Sequence, residues 1–189
     1  MQGISDCKQY AATGEPAENA VRRPGSATAR YVPGRRVMIE VYLLRAGPGG
    51  TLAFRRAWGW LDEAETPDDA AVRVGLPRTR RPLRAGTLHS TSWRHGADGS
   101  IVLTYVMAPD PEPELAAVEL ASLQLAHGPT ARQPSPLQVR PEQVAAHAVR
   151  HLAMVADTNP QVREALCADQ DLAAALAAAP RSTAGQLLA

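Results

Sequence analysis

Between Gly59 and Leu76 the chain reads GWLDEAETPDDAAVRVGL, and Asp62, Glu63, Glu65, Asp68 and Asp69 place five carboxylates within eight residues. Carboxylates crowded in this way suit a hard divalent cation such as Mg²⁺, which prefers oxygen ligands. A cation held there would neutralise phosphate charge and activate a water. The same acids also have a purely structural use. Thr66-Pro67-Asp68-Asp69 supplies a helix N-cap, a proline at the first helical position and negative charge beside the positive end of the helix dipole. The expectation is the second use: a solvated acidic loop running into a helix start.

A second group lies at Leu88–His95, LHSTSWRH. Strict strand alternation puts His89, Thr91 and Trp93 on one face and Ser90, Ser92 and Arg94 on the other. Trp93 would then be a stacking platform for a base, with His89 beside it as a hydrogen-bonding or acid–base group. The competing expectation is a buried tryptophan with a satisfied histidine, the commoner use of Trp in a small domain. Neither Ser90 nor Ser92 has the G-x-S-x-G surroundings of an activated nucleophile. Trp58 and Trp60 straddle Gly59 and either pack beneath a loop or line a pocket. The clusters Arg35-Arg36, Arg55-Arg56 and Arg78 to Arg84 could converge on an anionic ligand. His147 and His151 are four apart on a helical stretch, a spacing that can hold zinc. The pair lacks a Glu of the H-E-x-x-H kind and a visible third ligand, so core-edge or interface histidines are expected.

These groups need elements to position them. Val37–Arg45, VMIEVYLLR, is nearly all apolar and reads as a central strand covered on both faces. Gly47 to Gly50 makes a turn, and Thr51–Arg56 is the partner strand. A helix of about two turns starts at Pro67 and stops at Gly75. Leu83–Trp93 and Ser100–Ala108 read as a second hairpin around Gly96 to Gly99. Glu114–Leu125 fits helix or strand-plus-turn equally poorly. From Pro141 a helix runs to about Asp157, with Val144, Ala148, Leu152 and Val155 as its apolar stripe. Two shorter helices follow at about 160–168 and 171–179. The expected divisions are a flexible N-terminal arm over 1–34 with a short strand near Ala29–Val32, a core over 35–127, a Pro-rich linker over 128–140, a helical extension over 141–180 and a tail over 181–189.

Composition excludes more than it selects. A net charge of +1 gives no general attraction to nucleic acid or to membrane surfaces. Lys8 is the single lysine, so Arg richness reflects compositional bias and is no phosphate signal by itself. Cys7 and Cys167 lack the spacing of a zinc site or a disulfide framework. No apolar run reaches membrane-spanning length, and the first residues lack a signal-peptide pattern. A cytoplasmic protein is expected.

The order of strand, Gly-rich turn, strand, acidic loop, short helix and strand hairpin resembles the Nudix hydrolase family, whose signature is G-x5-E-x7-R-E-U-x-E-E-x-G-U, with U a bulky aliphatic residue. Gly59, Glu65 and Arg73 match its first half at the same spacing, and Gly75-Leu76 matches its closing pair. The block E-U-x-E-E between them, which carries the family's metal-binding glutamates, is reduced to Val74. The resemblance covers about residues 37–108. It implies an α/β fold, a Nudix-like mixed-sheet sandwich with a C-terminal helical extension. It further implies a domain that keeps the ligand cleft and has lost the chemistry: a non-catalytic binding or regulatory module for a nucleotide or similar phosphate-containing ligand. Arg55, Arg56, Trp58, Trp60, His89, Trp93 and His95 are the candidate ligand-binding residues, and no cofactor is expected. One alternative is a hydrolase of nucleoside diphosphate derivatives with a relocated Mg²⁺ or Mn²⁺ site, Glu65 as the catalytic carboxylate and Glu63, Glu65 and Asp69 as metal ligands. Another is a protein–protein adaptor working through the C-terminal helices, with the 141–157 helix as a homodimer interface.

Overall fold

The computed structural model describes residues 36–76, 86–130, 132, 136 and 138–182. The expected N-terminal arm with its strand near Ala29–Val32, the Arg78–Arg84 connector and the tail beyond 182 lie outside the described residues. Within them the elements run β1 (Val37–Ala46), β2 (Leu52–Trp60), α1 (Pro67–Gly75), β3 (Thr87–His95), β4 (Ile101–Ala108), β5 (Val118–Glu119), α2 (Pro141–Thr158), α3 (Pro160–Leu166) and α4 (Gln170–Ala178). The fold is mixed α/β, with one five-stranded sheet in the order β3-β4-β1-β2-β5. β1 runs parallel to β4, and the other pairings are antiparallel.

β1 is the centre of the sheet because its sequence can be buried on both sides. Ile39, Val41 and Leu43 pack with Ala70 and Ala71 of α1 and with Tyr105 and Met107 of β4. Tyr42 and Leu44 point the other way. They pack with Phe54, Val106, Ala108 and the apolar faces of α2, α3 and α4. Helices therefore cover both faces of the sheet. The α2 stripe is used in this second core: Val144, Ala148 and Leu152 are buried against it.

The helix starts follow local chemistry. Thr66 Oγ1 accepts the Asp69 backbone N–H at 3.2 Å, and Pro67 occupies the first turn. Asn159 caps α3 by accepting from the Gln161 and Val162 amides, and Asp169 caps α4 by accepting from Leu172. α1 is too short to persist alone. Its buried Ala70, Ala71 and Gly75 press it onto the sheet.

Several expectations need correction. β2 does not end at Arg56 but runs to Trp60, because the ten-residue β1 offers partners as far as Met38 opposite Trp60. The Trp58-Gly59-Trp60 segment is thus strand, not loop. β3 reaches His95 rather than ending at Trp93, since its pairing with β4 continues to Ile101. Glu114–Leu125 forms only the short β5, paired with Ala53 and Phe54. A β-bulge between Ser90 and Ser92 breaks the alternation along β3. Cys167, in the turn after α3, is disulfide-bonded, contrary to the reading of the cysteine spacing. Among the described residues no helix is long and apolar enough to cross a membrane.

Candidate functional site

Cross-strand register decides which side chains share a face, because residues directly opposite in a ladder point the same way. Glu40, Tyr42 and Leu44 of β1 stand opposite Trp58, Arg56 and Phe54 of β2. On the other side of β1, Glu40 and Tyr42 pair with Thr104 and Val106 of β4. His89 is opposite Val106, and after the bulge Ser92 and Arg94 are opposite Thr104 and Val102. His89, Ser92 and Arg94 therefore share a face with Arg56, Trp58 and Trp60. Trp93 and His95 go to the other face, opposite Leu103 and Ile101. One inserted residue has exchanged the expected partners.

At the centre of the shared face is Glu40, with no exposed surface. Its carboxylate pairs with Arg56 Nε at 2.5 Å and with Arg94 Nη1 at 2.7 Å. Tyr42 Oη donates to the same carboxylate at 3.3 Å and Thr104 Oγ1 at 3.4 Å. Arg94 Nη1 also donates to Thr104 Oγ1 at 3.0 Å. A buried carboxylate is tolerable only when paired and hydrogen-bonded in this way. Burial, with the neighbouring Glu40 charge second, pushes the Tyr42 phenol well above its ordinary range, so it stays a donor. Two guanidiniums on one carboxylate leave a surplus positive charge. The Arg56 side chain is 37% exposed and that of Arg94 30% exposed, so this charge reaches solvent. Directly opposite Glu40, Trp58 is 59% exposed. Trp60 is less open, with Arg36 Cζ 3.9 Å from its ring centroid.

The other candidates lie elsewhere. Arg55 is opposite Leu43, on the α1 side of the sheet. It makes a two-pronged contact with buried Asp110 at 2.9 and 2.7 Å and a further one with Glu112 at 3.1 Å. It clamps the chain after β4. Trp93 and His95 meet edge to face at 5.5 Å on that same side, with Trp93 exposed.

The acidic stretch is already engaged. Arg73 Nε and Nη2 donate to the two oxygens of Glu65 at 2.8 and 2.6 Å, and Nη2 donates to the Trp60 carbonyl at 2.9 Å. The Arg73 hydrogen bonds hold the Glu65 carboxyl below the usual carboxylate range. Asp69 accepts from Thr66 Oγ1 at 2.6 Å, Asp68 accepts from the Tyr105 hydroxyl at 2.8 Å, and Glu63 is exposed. Among the described residues no group of three or more His, Cys, Asp or Glu is placed to hold a metal ion. Gly59 and Gly75 are explained by contact. A Cβ on Gly59 would lie 2.9 Å from Val74 Cγ2, and one on Gly75 2.7 Å from Met107 Cε. Gly59, Glu65, Arg73 and Gly75 thus tie α1 and its loop to the sheet.

The sequence reading missed Glu40 as an organising residue and left Arg94 out of the binding set. The signal for Glu40 was available, as the one charged residue inside VMIEVYLL. Its partners were not, since they come from two other strands. Comparison with protein-family models, with curated proteins and with solved structures gives no match.

Proposed function

We propose that this chain is a degenerate Nudix-like domain that binds a nucleotide or similar phosphate-containing ligand without transforming it. The observation that carries the reading is the joint placement of Arg56, Arg94 and Trp58 around the buried Glu40. The guanidinium pair offers donors and positive charge for a phosphate. Trp58 offers a flat exposed surface for a base. Glu40 fixes both arginines before any ligand arrives, which lowers the ordering cost of binding.

Two further features support the Nudix-like part. Helices cover both faces of a mixed sheet, as a sandwich requires. The matched Gly59, Glu65, Arg73 and Gly75 act together at one junction of loop, helix and sheet. The proposed ligand-facing set keeps Arg56 and Trp58 of the expected residues and adds Arg94, with Trp60 and His89 at its margins. Against the hydrolase alternative stands Glu65, whose two oxygens are both taken by Arg73. Against an adaptor that works through the α2 apolar stripe stands the use of that stripe in the core.

The test is a panel of nucleoside mono- and diphosphates and diphosphate-linked derivatives. Binding should register in calorimetry without added metal. No phosphate or monophosphate should be released with Mg²⁺ or Mn²⁺. Metal-dependent release that Glu65→Gln abolishes would overturn the non-catalytic reading.

A further inference from the structure

His147 and His151 were legible as a helical pair, and the fold brings His89 of β3 to them. The His89 and His151 rings meet edge to face with centroids 5.1 Å apart, and the His147 and His151 rings are 5.7 Å apart. The cluster lies where α2 rests on β3. His147 is buried, and the other two are partly buried. His151 Nδ1 is buried without a hydrogen-bond partner among the described residues.

We propose that His89, His147 and His151 form an acid-sensitive latch between α2 and β3. While neutral, three imidazoles pack against one another and hold the helix on the strand. Once His89 and His147 take up protons, two positive charges would sit in a poorly solvated seam. Arg150, the next residue on α2, adds positive charge, and its Nη1 is spent on the Leu123 carbonyl at 3.3 Å. β4 offers no relief, for it presents Val102, Thr104, Val106 and Ala108 on this face. The carboxylates of the neighbouring helices, Glu164 on α3 and Asp171 on α4, are exposed. α3 also carries Arg163, and the acids of α2 lie towards its ends: Glu142 in the first turn and Asp157, which pairs with Arg181.

Burial, with His151 and then Arg150 adding repulsion, pushes His147 down to about 4. Burial and His151 push His89 down as well. In the opened seam both return towards the ordinary imidazole value near 6.5. The open form therefore binds more protons between about pH 4 and pH 6.5, and closure weakens as pH falls through that window. From His147 alone, lowering the pH from 7 to 5 should raise the opening constant roughly twentyfold.

Amide hydrogen exchange on the full chain at pH 7 and pH 5, normalised for the intrinsic pH dependence of exchange, tests this. Protection of α2 and β3 amides should fall by about tenfold or more at pH 5, while β1 amides hold theirs. The double variant His147→Gln/His151→Gln should lose that pH dependence, and His89→Gln should reduce it if the double variant does not fold. Imidazole Cε1–H titration of the wild-type chain gives a readout independent of variants, with a His147 midpoint well below 6. Unchanged protection, an even loss over all strands, variants that keep the full pH response, or a His147 midpoint at or above 6.5 would each overturn the latch.

Discussion

Glu40 and Trp58 stand directly opposite each other across the β1–β2 ladder, the first with no exposed surface and the second with 59% of its surface open. A fully buried charge and an exposed indole side by side on one sheet face are each costly in isolation. Together with Arg56 and Arg94 they form a surface whose floor is fixed by an ion-pair network and whose top is an aromatic plane. The ion pairs with Glu40 hold the two guanidiniums in place.

Removing the centre of the network should be far more damaging than trimming its edge. Glu40→Gln strips the countercharge from two arginines, and its cost should be about 3 kcal/mol or more. Arg94→Met leaves Glu40 paired with Arg56 and should cost about half as much. Urea midpoints of the two variants, read against wild type with a common slope, decide the order.

The Glu65–Arg73 pair has good geometry but sits near solvent, with the Arg73 side chain 44% exposed. Glu65→Gln should therefore cost only about 1 kcal/mol, discounted for screening. The pH sign follows from the direction of the shift. Arg73 lowers the Glu65 carboxyl in the folded chain. The contribution of the pair is complete above the unfolded carboxyl value near 4.3 and is lost as pH falls through the lower folded value. The stability difference between wild type and Glu65→Gln should close in strong acid and stay constant from about pH 6 to pH 8. A difference that persisted at pH 2 would contradict this account.

Gly59 and Gly75 should resist even a methyl group. Gly59→Ala drives a Cβ to 2.9 Å from Val74 Cγ2, and Gly75→Ala drives one to 3.2 Å from Val41 Cγ1 and 2.7 Å from Met107 Cε. Each should destabilise by about 1–3 kcal/mol through overpacking. Gly75→Ala combined with Met107→Ala should recover part of the steric loss beyond additivity in a double-mutant cycle. Strict additivity would place the strain elsewhere.

How far the sequence reached depends on the range of the interaction involved. Apolar continuity marks β1 as central, and Thr66-Pro67 and Pro141 mark two helix starts, because these signals are local. The true length of β2 was hidden, since it depends on how far β1 extends to meet it. The face assignment along β3 failed at the bulge between Ser90 and Ser92, which no local residue pattern announced. Glu40 looked like an interruption in an apolar strand. Its role appears only when β2 and β3 deliver Arg56 and Arg94 from either side. Arg55 and Arg56, adjacent in sequence, serve opposite faces of the sheet, so treating them as one anion-binding cluster could not succeed.

The most direct test of the binding account compares two exposed tryptophans on opposite faces of the sheet, Trp58 at 59% and Trp93 at 64% exposed. Calorimetric titration with a nucleoside diphosphate, without metal, should show that Trp58→Ala weakens binding roughly 5- to 150-fold, matching about 1–3 kcal/mol of stacking. Trp93→Ala should leave the affinity unchanged. Equal loss in both variants, loss in Trp93→Ala alone, or no binding by the wild-type chain at millimolar ligand would contradict the account.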